Sequence, residues 1–229
     1  MTRVLLAGGA TGGHLYPGLA VAQYWKREEP GVGITFVGSE RGLEEKVLHG
    51  TGFPFVPMAT PTLMDKRGPA RWLAVMKLPA ALVASLTMLV HRRVHLVLGL
   101  GGFSAGPPLL AGWMLGIPTA IMEQNAIPGM TNRWLAKMAR QIFTWFAGAG
   151  DFFPAAKVRP CGLPVREEIR RAAEGMRQRK ADHGRLALLV LGGSQGARTL
   201  NELILKALPK LTALSGRMTV MHQTGPWMA

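Results

Sequence analysis

Cysteine is nearly absent from this 229-residue chain, and aspartate is scarce. The single thiol, Cys161, cannot close an internal disulfide, so nothing argues for an oxidising compartment. No reactive-cysteine signature surrounds it, and an ordinary structural role is expected. The only aspartates, Asp65, Asp151 and Asp182, are too far apart for an Asp-x-Asp cluster that would hold a metal-bound nucleotide. Long apolar runs are missing from the helix-like segment 72–92, where the uncharged stretch Leu78 to Val90 has 13 residues. A bilayer span needs roughly 20. The opening residues Met1–Ala7 are too short for a signal-peptide core and run straight into glycines. A cytosolic chain without a transmembrane helix is the expectation.

What is present is enough for a folded core: 48% of the residues are hydrophobic and 17% charged. The formal net charge is +14, and its placement matters more than its size. Between Lys66 and Trp145 stand nine Lys or Arg and one acid, Glu123. Such a surface suits nucleic acid, anionic lipid or a phosphorylated substrate. No nucleic-acid module is recognisable, so nucleic acid ranks last. Lys66, Arg67 and Arg71 precede Trp72-Leu73-Ala74-Val75-Met76, and Arg92-Arg93 follow Met88-Leu89-Val90. A basic rim beside apolar residues suits a helix resting on an anionic membrane, but a core helix with solvated charged ends takes precedence on this pattern alone.

Short apolar runs alternating with longer amphipathic segments predict an α/β fold with a parallel sheet covered on both faces. Strands are predicted at 3–7, 34–37, 94–98, 119–122 and 142–145, and helices at 17–26, 42–49, 72–92, 108–115 and 130–139. Pro154, Pro160 and Pro164 then cluster, and the division expected is a first domain over 1–153, a linker over 154–164 and a second domain over 165–229. The second domain restarts the pattern with a strand at 186–191, a glycine-rich loop, a helix at 199–208 and a strand at 218–222. Such a unit has little core of its own, so it is expected to be incomplete, the chain being a fragment or one half of a pair of polypeptides.

Three glycine-rich loops carry the candidate chemistry. Gly8-Gly9-Ala10-Thr11-Gly12-Gly13-His14 joins the first strand to a helix, where backbone N–H groups and a helix start favour a phosphate. Gly8, Ala10 and Gly13 hold the spacing of a dinucleotide fingerprint, and Glu40 past the second strand could serve as the ribose-binding acid, which keeps an NAD(P)-dependent oxidoreductase open. Gly99–Pro108 repeats the strand–loop–helix design, and Gly192–Arg198 repeats it in the second domain. Loops at the carboxyl ends of parallel strands line the usual ligand crevice. Three of them fit a nucleotide donor with a diphosphate acceptor better than one dinucleotide.

Five segments occur in the order found in one family: Gly9–His14, Gly101–Pro107, Glu123-Gln124-Asn125, Gly162–Arg166 and Gly192–Arg198. Together they resemble the peptidoglycan glycosyltransferases that make lipid II from lipid I. The resemblance runs over the whole chain, with Leu163 where the family usually has asparagine and Met122 where histidine is common. It implies a GT-B-type fold, a Rossmann-like acceptor and membrane-binding domain followed by the start of a Rossmann-like donor domain. It implies an inverting, metal-independent transfer of N-acetylglucosamine from UDP-N-acetylglucosamine to the C4 hydroxyl of undecaprenyl-diphosphate-linked N-acetylmuramoyl pentapeptide, with no cofactor. Thr11, Gly12, Gly13, Asn125, Arg166 and Ser194 match the positions contacting the sugar nucleotide. Gly12, Gly13, Gly101, Gly102 and Ser104 fall in the loops for the acceptor diphosphate, and His14 matches the proposed general base, with ordering of the loop or phosphate binding as its other reading. Glu123 is read as an anchor for the loop after it. The implied location is the cytoplasmic face of the bacterial inner membrane, held peripherally, with other cell-wall synthesis proteins as partners. The remaining donor domain of the family is not in the sequence, so this chain alone is expected to be inactive. The alternative is a membrane-docked acceptor-binding subunit of a split glycosyltransferase.

Overall fold

A computed structural model describes residues 1–9, 11–40, 44–59, 77–177, 186–193 and 196–226, which divide into two compact units, Met1–Arg171 and Ala172–Ala229. In the first unit the strands are β1 (Arg3–Gly8), β2 (Gly33–Ser39), β3 (Phe55–Met58), β4 (Leu96–Gly101), β5 (Thr119–Glu123), β6 (Gln141–Thr144) and β7 (Val158–Pro160). Its helices are α1 (Gly12–Glu28), α2 (Glu44–Leu48), α3 (Leu78–His91), α4 (Gly106–Met114) and α5 (Met130–Leu135), and α6 (Glu167–Arg177) begins in this unit and continues past its last residue, Arg171. All seven strands are parallel, in the order β3-β2-β1-β4-β5-β6-β7.

The uniformly apolar strands follow from burial on both faces. Side chains alternate across a pleated strand, so Leu5 and Ala7 of β1 join one core with Val97, Ile121 and Ile142. Val4 and Leu6 join the other with Leu98, Leu100 and Met122. Helix α1 covers the second face with Leu15, Leu19 and Ala22, while α3 and α4 cover the first with Ala81, Leu89 and Leu109. Strand order reverses between β1 and β4, and the first two glycine-rich loops leave the carboxyl ends of those two strands.

The differences from the sequence-based expectation have local causes. β3 and β7 were not expected, because Phe55–Met58 and Val158–Pro160 are four and three residues long and each contains proline. β7 falls inside the segment expected as a linker, and its pairing with β6 ties that segment into the sheet. Helix α3 begins at Leu78 with proline in its first turn, while Trp72, Leu73 and Met76 lie outside the described residues. Cys161, expected to be structural, is exposed. Among the described residues no helix is long and apolar enough to cross a membrane.

In the second unit, β8 (Leu186–Leu191) and β9 (Met218–Gln223) form a two-stranded parallel sheet beside α7 (Arg198–Ala207). The buried Asn201 side chain donates to the Thr224 carbonyl at 2.8 Å and meets His222 Nε2 at 2.9 Å. Leu189, Leu191 and Met221 remain exposed.

Candidate functional site

The first two loops touch. Gly8 and Gly101 pair at the ends of β1 and β4. Both have positive φ, +108° and +106°, which L side chains rarely adopt. A Cβ on Gly8 would collide with the Gly101 carbonyl oxygen, and one on Gly101 would lie 2.6 Å from His14 Cδ2. The missing side chains therefore let the His14 ring lie directly on the second loop.

His14 stands in the first turn of α1. Thr11 caps that helix in an extended conformation, and its carbonyl accepts the His14 and Leu15 amides at 3.1 and 3.0 Å. The Thr11 hydroxyl is 2.8 Å from His14 Nδ1. Burial lowers the His14 pKa, and the Glu123 charge raises it in part. The imidazole is therefore neutral near pH 7. When Nδ1–H donates to Thr11, the lone pair is on Nε2, which has no hydrogen-bond partner among the described residues.

Glu123, at the end of β5, is fully buried. Its carboxylate accepts from the Asn125 amide at 2.9 Å, Asn125 Nδ2 at 3.0 Å, Asn132 Nδ2 at 2.8 Å and the Gly129 amide at 3.3 Å. Four donors offset the cost of burying one charge and fix the loop carrying Asn125, whose side-chain nitrogen is spent on this anchor. Next along the chain, Gln124 Nε2 donates to the Leu100 carbonyl at 2.7 Å, tying the loop to β4.

Arg166 closes another side. Its guanidinium lies 4.6 Å from the centre of the Tyr16 ring, a cation–π contact. Arg166, Tyr16, Gly12, Gly13 and Trp145 border a cavity of about 330 Å³ at the start of α1. A wider hollow of about 770 Å³ lies at the amino ends of β1 and β2, among Arg3, Lys26 and Gly33, away from the loops.

The structure thus brings Thr11, Gly12, Gly13, His14 and Gly101 together and sets Arg166 beside Gly12 and Gly13. Gly102 follows with open space above its Cα, and Ser104 is buried with a hydroxyl that finds no partner among the described residues. Ser194 lies outside the described residues. Glu40, the acid needed by the dinucleotide reading, is exposed. The acid behind the first loop is instead Glu44, fully buried, accepting the Ser39 amide at 3.1 Å and lying against Gly9. Sequence reasoning missed Glu44 because Glu44-Glu45-Lys46 reads as a solvated helix face. It also missed Tyr16 and Trp145, whose only signal is their position one turn inside α1 and just past β6.

The model of the glycosyltransferase family 28 N-terminal domain matches residues 4–144, and that of the family 28 C-terminal domain matches residues 187–228. The chain is 41% identical over 223 residues to a protein of Anaeromyxobacter sp. strain K named UDP-N-acetylglucosamine–N-acetylmuramyl-(pentapeptide) pyrophosphoryl-undecaprenol N-acetylglucosamine transferase, covering 97% of this chain and 57% of that protein. It is 39% identical over 225 residues to the protein of the same name from Myxococcus xanthus, covering 98% of this chain and 58% of that one. The crystal structure of Acinetobacter baumannii MurG superposes with a TM-score of 0.74 at 28% identity, over 99% of this chain and 60% of that chain. The chain therefore spans somewhat under three fifths of the length of these curated relatives. The α/β, GT-B-type class expected from the sequence stands, and the oxidoreductase alternative has no support in these matches. With its N-terminal domain model covering most of the first unit, the chain belongs to glycosyltransferase family 28.

Proposed function

We propose that the chain is the acceptor-side part of an inverting transferase that moves N-acetylglucosamine from UDP-N-acetylglucosamine to undecaprenyl-diphosphate-linked N-acetylmuramoyl pentapeptide in peptidoglycan synthesis. The observation that carries this reading is the neutral His14 ring, held by Thr11 and seated on Gly101 where two glycine loops meet. His14 Nε2 takes the proton of the acceptor C4 hydroxyl as that oxygen bonds to the anomeric carbon. The bond from that carbon to the UDP phosphate breaks on the opposite face, which inverts the configuration. Negative charge on the two diphosphates is met by backbone N–H groups at the starts of α1 and α4 and by Arg166. Asn125 and Ser194 complete the sugar-nucleotide contacts. Gly12, Gly13, Gly101, Gly102 and Ser104 hold the acceptor diphosphate. Neither a metal nor a cofactor enters this scheme.

In this reading residues 1–153 form the acceptor domain, 154–164 the connection and 165–229 the beginning of the donor domain. Docking is peripheral, on the cytoplasmic face of the bacterial inner membrane, alongside other cell-wall enzymes. Its support is α3, whose Val83 and Val90 are each 61% exposed and whose end carries the exposed Arg92 and Arg93. On the neighbouring α4, Trp113 and Met114 are exposed as well. Apolar side chains with a basic margin suit an anionic bilayer. The exposed Leu189, Leu191 and Met221 of the second unit favour its completion by further strands, in the same polypeptide or in a separate subunit. The test is transfer of labelled N-acetylglucosamine to lipid I by the chain, alone and supplied with the remainder of a family 28 donor domain. Transfer in the supplemented reaction is expected. Its absence with membrane and both substrates present rejects the assignment.

A further inference from the structure

Three large apolar side chains near the second glycine loop lie outside the mechanism above. Ile127 is 71% exposed, Met130 68% and Trp134 74%. Met130 and Trp134 are one turn apart (i, i+4) on α5, so they share a face, and Ile127 lies three residues before the helix. Exposed apolar side chains gathered on one face can form a binding surface. The structure says what they adjoin. Thr131, between them, comes within 3.9 Å of a Cβ built on Gly106, where α4 starts directly after the second loop. The Glu123 carboxylate fixes the segment in between through Asn125, Gly129 and Asn132. The face is therefore a rigid extension of the loop assigned to the acceptor diphosphate.

We infer that Ile127, Met130 and Trp134 receive the first isoprene units of the acceptor's polyprenyl chain as it leaves the diphosphate. This rests on the reading of the second loop as a diphosphate site. A prenyl diphosphate needs an anion site joined directly to an apolar strip, and that is the order met here, from Gly102 through Gly106 to Trp134. The flanking charges, Arg133 and Lys137, are both basic and exposed, as an anionic lipid requires. The size also favours a single hydrocarbon chain. Three side chains offer roughly a few hundred Å², well below the about 800 Å² per partner of a stable protein complex.

Calorimetric titration of the full chain with three probes tests this: inorganic pyrophosphate, farnesyl diphosphate, and vesicles of phosphatidylglycerol. The native chain is expected to bind farnesyl diphosphate at least tenfold more tightly than pyrophosphate. Trp134→Ser, and Ile127→Ser with Met130→Ser, should each remove most of that advantage while pyrophosphate affinity and vesicle binding stay unchanged. Equal affinity of the native chain for both diphosphates overturns the inference and leaves the loop assignment standing. Loss of vesicle binding with the prenyl preference intact overturns it in favour of a bilayer contact. Failure to bind either diphosphate rejects the loop assignment, and the inference with it.

Discussion

Replacing Gly101 by alanine puts a methyl carbon 2.6 Å from His14 Cδ2 and 2.9 Å from Nε2. Carbon atoms in contact normally stand about 3.5–4.0 Å apart, so the ring must move by about 1 Å or the backbone must give. The φ of +106° adds strain that glycine escapes, on the order of 1–3 kcal/mol for a side-chain-bearing residue. Overpacking costs a further 1–3 kcal/mol. Together these predict a loss of about 2–6 kcal/mol, a large share of the 5–15 kcal/mol that holds a typical domain. Denaturant titration measures the loss. NMR titration of His14 reports the displacement, because a ring pushed into solvent loses the burial that lowers its pKa, which then climbs toward the ordinary histidine value. Stability within about 0.5 kcal/mol of the native chain with an unshifted His14 titration would refute the contact between the loops.

Glu123→Gln leaves one acceptor oxygen where four donors now converge, so unfolding titrations should register a loss of about 1–3 kcal/mol. Removing that charge also deletes the influence that raises His14, so NMR should find its pKa lower still. His14 has a folded pKa below its unfolded value. Its contribution to stability is therefore complete above about pH 6.5 and declines as the pH falls from there toward the folded pKa. The stability of His14→Gln between pH 7.5 and 5.5 should fall less than that of the native chain, and identical slopes would remove the argument. Tyr16→Phe keeps the ring under Arg166 and should leave UDP-N-acetylglucosamine affinity within twofold, whereas Tyr16→Leu should weaken it several-fold. Glu167, bonded by Arg170 and Arg171, should titrate at about 2 in carboxyl-carbon NMR.

The sheet was legible in the sequence because burial on both faces writes itself as unbroken apolar runs. Leu5 and Leu6 enter different cores, yet both must be apolar. β3 and β7 were not legible, because four- and three-residue edge strands containing proline carry no such run. The loops were visible as glycine clusters, but the reason for Gly101 was not. Only the fold brings His14 onto a residue 87 positions away in the sequence. Trp145 and Tyr16 likewise acquire a role only once β6 and the segment before α6 are brought beside α1. Glu44 was hidden by its neighbours Glu45 and Lys46, since a charged triplet reads as surface while one of its members is fully buried.

In the proposed transfer, His14, poised between two glycine loops, removes the acceptor's proton. Steady-state transfer of labelled N-acetylglucosamine to lipid I, by the chain supplied with the rest of a family 28 donor domain, tests it most directly when the native sequence is compared with His14→Gln. The expected kcat is lower by about 10²–10⁴, with KM for both substrates within about threefold of native. A kcat retained within about threefold would contradict it.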